Sequence, residues 1–149
     1  CFNNSKGVFE AAAQGRIKPG HIVIIRGSGP VALGMPEMHV ASAALAVPEL
    51  YGKVALITDG RVSGVSAGAV GVHCTPEAVL GGPIAKVQDD DEIEFDLLKG
   101  TIAVKADLDA RKAEPVEVSH PFGYLADFAA TVSQAHEGCV PKWTLSKRA

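Results

Sequence analysis

Aromatic side chains are scarce, at 5% of 149 residues, although hydrophobic residues reach 47%. A core of this composition is built from Val, Ile, Leu and Ala, not from stacked rings. Cysteine is equally sparse. Cys1, Cys74 and Cys139 are odd in number, widely spaced and form no CxxC pair. That pattern excludes a disulfide framework and makes a reducing cytoplasm the default location. Basic charge is not in excess either: the net charge is −3 and the pI about 5.9. With no basic stripe and no aromatic–basic interleaving, nucleic acid is not an expected partner. No apolar run reaches the roughly 18 residues of a membrane-spanning helix, and no signal-peptide pattern opens the chain. Internal repeats and low-complexity tracts are absent. The opening at Cys1 reads as mid-protein, so the chain is expected to be a piece of a longer one.

What the sequence does have is glycine and proline, 16 and 9 respectively, which imply many tight turns and short strands. Its length suits a single domain over 1–149, large enough to bury a core without metal or disulfide support. Residues 8–15 predict a short helix closed by Gly15. His21–Arg26 and Val54–Thr58 predict buried strands, because apolar and β-branched residues run almost unbroken. A long loop from Gly27 to Met38 follows the first strand, and His39–Ala46 predicts a helix that stops before Pro48. Thr75-Pro76-Glu77-Ala78 reads as a helix start, with Thr75 as N-cap and Pro76 at the first position, ended by Gly81-Gly82-Pro83. Three strands are expected next, at Ile84–Val87, Glu92–Leu97 and Thr101–Ala106, the last two a hairpin turning near Lys99-Gly100. The acidic run Asp89–Glu92 reads as a solvated turn. Beyond a connection around Pro115 and Pro121, Phe122, Leu125, Phe128, Ala129 and Val132 mark one face of a helix stopped by Gly138. The pattern is a mixed α/β domain with a β-rich middle, expected to form a barrel or strongly curled sheet.

Two glycine-bearing loops each follow a buried strand, where ligands commonly bind in open sheets and barrels. The first carries Glu37. The second carries Asp59, Arg61, Ser63 and Ser66 among glycines. Glycine there permits positive φ and close backbone approach to a ligand. A lone Glu37 cannot hold Mg²⁺, which requires octahedral oxygen coordination from further ligands. Ser63 has His39, His73, His120 and Asp59 elsewhere in the chain, but spacing alone defines no Ser-His-Asp triad. Arg61-Val62-Ser63-Gly64 also lacks the first glycine of a hydrolase nucleophile elbow.

Taken in order, certain words are more specific. Val23-Ile24-Ile25-Arg26-Gly27-Ser28-Gly29-Pro30, Gly34-Met35-Pro36-Glu37-Met38, Ala55-Leu56-Ile57-Thr58-Asp59-Gly60-Arg61-Val62-Ser63-Gly64, Thr75-Pro76-Glu77-Ala78 and Gly81-Gly82-Pro83-Ile84-Ala85 resemble the dihydroxy-acid dehydratase/phosphogluconate dehydratase family. The resemblance covers nearly the whole chain and weakens after about Asp107. It implies the carboxy-terminal domain of a larger enzyme, with the fold of a β-barrel-like swivelling β/β/α domain flanked by helices. It implies dehydration of a 2,3-dihydroxy acid to a 2-oxo acid, with an iron–sulfur cluster and Mg²⁺ as cofactors. The cluster ligands and the other Mg²⁺ ligands would belong to an amino-terminal domain outside this chain.

On this resemblance Ser63 matches the serine base and Glu37 the Mg²⁺ ligand, while Asp59, Arg61, Gly64, Ser66 and His73 line the substrate position. A serine hydroxyl would need strong local positive charge to act as a base. Cys74, beside His73, reads as a small buried side chain and not as a cluster ligand. Branched-chain dihydroxy acids and sugar acids are both open as substrates, and a homodimer or homotetramer is implied. The competing class is a non-catalytic remnant or an oligomerisation module.

Overall fold

The computed structural model describes residues 1–118, 120 and 122–146. Pro121, part of the connection anticipated above, lies outside the described residues. The chain opens with helix α1 (Ser5–Ala13), whose N-cap Asn4 accepts a hydrogen bond from the Gly7 amide and whose Val8 and Ala11 are buried. Strands β1 (Ile22–Ile25), β2 (Ala55–Thr58) and β3 (Ala69–Gly71) form a parallel sheet with β2 in the centre. Ile25 pairs with Thr58, and Ile57 with Gly71. Between β1 and β2 come the single-turn helix α2 (Pro30–Leu33) and helix α3 (His39–Leu45).

Strand periodicity divides the core. Val23, Ile25 and Leu56 face one side, packed with Val8 and Ala11 of α1, Ala41 of α3, and Ile17 and Met38 beside them. Ile24 and Ile57 face the other, against Ala78, Ile84, Ala85 and Val87. A sheet covered on both faces explains why β1 and β2 read as continuous apolar runs. The second face is also covered by the hairpin β4 (Ile93–Asp96) and β5 (Thr101–Val104) through Ile93, Phe95 and Val104. Its turn lies where expected: the Asp96 carboxylate accepts from the Leu98 and Lys99 amides, and Gly100 takes a φ of +66°.

The barrel expectation does not hold. The hairpin and the parallel sheet are separate, and no closed barrel forms among the described residues. The cause lies at Ile84–Val87, read as a strand but folded as a 3₁₀ turn, Pro83–Lys86. Pro83 supplies no amide for a ladder and suits a first helical turn. Arg26 Nη1 then donates to the Val87 carbonyl (2.7 Å) and the Ala85 carbonyl (3.4 Å), acceptors a neighbouring strand would have used.

Two helix readings also change. Thr75–Pro76 is a cis peptide, and the only helical turn there is a 3₁₀ turn at Ala78–Leu80, preceded by Glu77 and not capped by Thr75. The last amphipathic helix, α4 (Tyr124–Thr131), stops well before Gly138. Thr131 Oγ1 donates back to the Asp127 carbonyl, and the Ser133 amide bonds the Val140 carbonyl, so Val132 continues extended. Gly138 instead closes the 3₁₀ turn Ala135–Glu137, ahead of a short helix α5 (Lys142–Leu145).

The acidic run does form a largely exposed turn, in which Asp89, Asp91 and Glu92 have cationic partners. Asp91 takes a two-pronged bond from Arg111 (2.6 and 2.9 Å), which holds its carboxyl below the usual range, and Glu92 pairs with Lys105.

Two glycines of the first loop, Gly27 and Gly29, are required by close packing within the chain. A Cβ on Gly29 would stand 2.4 Å from Glu77 Oε2 and 2.7 Å from Glu77 Cβ. Gly29→Ala is therefore expected to destabilise the fold by about 1–3 kcal/mol. Denaturant unfolding checks this, and an unchanged midpoint would show that Glu77 can yield.

Candidate functional site

The two loops leave the carboxyl ends of β1 and β2, and a buried carboxylate fixes their bases. Asp59 is fully buried. Its Oδ2 accepts from the amides of Gly27 (3.0 Å) and Ala78 (2.9 Å), and its Oδ1 from the amide of Ser28 (2.9 Å). Charge-assisted bonds of this kind offset the desolvation of the carboxylate. Gly60 follows because nothing larger fits: a Cβ there would lie 2.9 Å from both Met38 Cε and Ser28 Cβ.

A second buried carboxylate, Glu77, braces the same loop from the opposite direction. It accepts from the amides of Val31 and Ala32 (both 2.9 Å) and from Gln134 Nε2 (2.6 Å), while Gln134 Oε1 accepts from the Glu77 amide. Sequence reasoning placed Glu77 in the first turn of a helix and missed this bracing role. The glycine facing its side chain, Gly29, was the available signal.

Above this base the loop tips meet. Glu37 and Arg61 pair as an isolated parallel bridge, the Met38 amide bonds the Arg61 carbonyl (3.1 Å), and Arg61 Nε donates to the Met35 carbonyl (2.7 Å). Ser63 is two residues beyond the bridge, and two residues span at most about 7 Å. Ser63 is half-buried in a turn: its carbonyl accepts from the Ser66 amide (3.0 Å) and its Oγ accepts from the Val65 amide (3.4 Å). Gly64 is exposed with open space around it. Ser66 Oγ donates to Ser42 Oγ (2.9 Å), tying the turn to α3. His73 is exposed at a φ of +58°, its amide bonded to the Gly60 carbonyl (3.0 Å).

Of the seven site residues expected from sequence, Glu37, Arg61, Ser63, Gly64, Ser66 and His73 thus lie on or beside the joined loops. Asp59 lies beneath them, with both oxygens engaged by backbone amides. Among the described residues no histidine hydrogen-bonds the Ser63 side chain.

A family profile described as "Dihydroxy-acid/6-phosphogluconate dehydratase C-terminal" matches residues 1–139. The chain belongs to that family. It is similar to a dihydroxy-acid dehydratase of Pyrobaculum neutrophilum, with 42% identity over 145 residues. That alignment covers 93% of this chain but 26% of the relative, so the chain spans about a quarter of the relative's length.

The donor set of this dehydratase-family domain decides what it can hold. No group of three or more His, Cys, Asp or Glu side chains suited to a metal ion occurs among the described residues. The three cysteines are free, and Cys139 Sγ contacts Met35 Sδ (3.2 Å). Among the described residues a cluster therefore finds no ligand set. Glu37 is different: its exposed carboxylate has no salt bridge among the described residues and offers hard oxygen donors, as Mg²⁺ requires, though only one ligand's worth.

The larger clefts lie elsewhere. A cleft of about 540 Å³ between the parallel sheet and the hairpin is lined by Ile24, Ile57, Cys74, Ile93 and Val104, away from the loop tips. No described helix is long and apolar enough to cross a membrane.

Burial, with the nearby Asp59 charge adding to it, pushes the Cys74 thiol up to about 11 from an ordinary 9.0. Stability linked to this thiol is present below pH 9 and declines as pH rises toward 11. Since the thiolate is the reactive form, native Cys74 should alkylate about a hundredfold more slowly at pH 8 than in denaturant. Mass-spectrometric mapping of iodoacetamide labelling reads this. Equal labelling rates in the native and unfolded protein would show that the thiol is not shielded.

Proposed function

We propose that this chain is the carboxy-terminal part of a hydro-lyase that converts a 2,3-dihydroxy acid to a 2-oxo acid, with Ser63 as the base and Glu37 as one Mg²⁺ ligand. The observation that carries the reading is the Glu37–Arg61 bridge, which joins the two strand-end loops and brings the backbone of Glu37 alongside the loop that carries Ser63. Family membership supplies the reaction class.

In this reading the Ser63 oxygen takes the proton from C2 of the substrate. The released electron pair forms the C2=C3 double bond as hydroxide leaves C3, and the enol then tautomerises to the 2-oxo acid. A free serine hydroxyl is too weak an acid for this role, so its deprotonated form requires positive charge nearby. The Val65 amide, which donates to Ser63 Oγ, supplies part of it. Metals, when bound with Glu37 as one ligand, would supply the remaining positive charge and Lewis acidity toward the C3 hydroxyl.

Gly64, Ser66 and His73 border the substrate. Asp59 acts beneath the loop as a positioning residue. The iron–sulfur cluster and the remaining Mg²⁺ ligands come from an amino-terminal domain of the same enzyme, which we assign to the cytoplasm as a homodimer or homotetramer. Dihydroxy acids of branched-chain type and sugar acids are the candidate substrates.

The test uses the intact enzyme. Ser63→Ala should lower turnover by about 10²- to 10⁴-fold while iron content and melting temperature stay at the parent values. Glu37→Gln should instead raise the Mg²⁺ concentration needed for half-maximal rate. Full activity in Ser63→Ala would remove the serine from the mechanism.

A further inference from the structure

Arg61 stands on the second loop, is exposed, and makes an unusual choice of partner. Its guanidinium makes no salt bridge among the described residues, although its backbone pairs with that of Glu37. Nε donates instead to the Met35 carbonyl at 2.7 Å, and the Arg61 carbonyl accepts from the Met38 amide at 3.1 Å. One bond lies on each side of Glu37 in the chain. The Met35 end is held further: its φ of +53° follows Gly34 at +72°, its amide donates to the Gly29 carbonyl (3.3 Å), and its sulfur contacts Cys139 Sγ (3.2 Å).

Resting on the reading of Glu37 as a metal ligand, we propose that Arg61 is a positioning residue that clamps the Glu37 segment to the Ser63 loop and leaves the Glu37 carboxylate free for a divalent cation. The choice of side chain follows from its chemistry. Arginine carries an N–H donor part-way along its stem, at Nε, which can hold a carbonyl while the rest of the planar group stays in water. Lysine has one terminal ammonium on a flexible stem. It cannot make the Nε bond, and at this position it would be drawn toward Glu37 and neutralise it. Charge conservation is therefore not expected to preserve the function. A residue that only attracted an anionic substrate would behave in the opposite way, since lysine would then substitute in part.

The experiment compares Arg61→Lys and Arg61→Ala with the parent in the intact enzyme, by amide hydrogen exchange, thermal melting, Mn²⁺ binding followed by electron paramagnetic resonance, and steady-state kinetics over Mg²⁺. In both variants the Met38 amide should exchange faster and the melting temperature should stay near the parent's, because the side chain is exposed. Metal affinity should fall about tenfold or more, the scale for losing a group that orients a ligand, with lysine no better than alanine. The Mg²⁺ midpoint should move further than KM for the dihydroxy acid.

Parent-like metal binding and rate in Arg61→Lys would overturn the proposal in favour of a simple charge role. Unchanged Met38 exchange in Arg61→Ala would overturn the clamp itself. A Glu37→Gln variant with parent-like Mn²⁺ binding would instead remove the ligand reading on which the proposal rests, a failure distinct from that of the clamp.

Discussion

Three backbone amides from two distant segments converge on the Asp59 carboxylate: Gly27 and Ser28 after β1, and Ala78 at the 3₁₀ turn after β3. Parallel strands leave their carboxyl ends as separate loops, with nothing in the ladder to hold those loops together. A fully buried carboxylate with three N–H donors performs that task, and its burial makes it costly to leave any of them unpaired. Glu77, equally buried, repeats the arrangement on the amides of Val31 and Ala32. The loop tips inherit their positions from these two groups.

Chemistry and architecture are thereby divided between neighbours in sequence. Within Asp59-Gly60-Arg61-Val62-Ser63 the aspartate faces inward to the backbone, the glycine makes room for Met38 and Ser28, the arginine reaches across to Met35, and the serine remains at the surface turn. The same division runs through the first loop, where Gly29 admits Glu77 and Glu37 is left free. A face built this way is open, and the larger clefts lie elsewhere. The chain spans about a quarter of the length of its relative, and an open face suits the proposal that another part of the enzyme would complete the site.

Much of the fold was legible because the parallel strands are buried on both faces, so that apolar runs marked β1 and β2 without ambiguity. The hairpin was legible through its alternation and Gly100. Long-range partners were not. Ile84–Val87 has a strand's composition, yet Arg26 takes its carbonyls across 59 and 61 positions of sequence. Strand β3 is three residues long, too short to carry a period.

At the site, glycine-rich loops after strands were visible, and so were the residues on them. The role of Asp59 was not, because a carboxylate that holds backbone amides and one that faces a ligand have the same local sequence. Glu77 was hidden for the same reason. Arg61 could be seen as a cation, but its partner is a carbonyl in the other loop, which no side-chain pattern reveals.

The account stands on the Asp59 carboxylate, and substitution by asparagine interrogates it directly. An amide has one acceptor oxygen where the carboxylate has two, so at least one of the three buried amides must face an N–H₂ group. Denaturant unfolding of Asp59→Asn should show a loss of about 3 kcal/mol. Amide exchange should become faster at Gly27, Ser28 and Ala78 together. Parent-like stability with unchanged exchange at those three positions would contradict the claim that this carboxylate holds the site together.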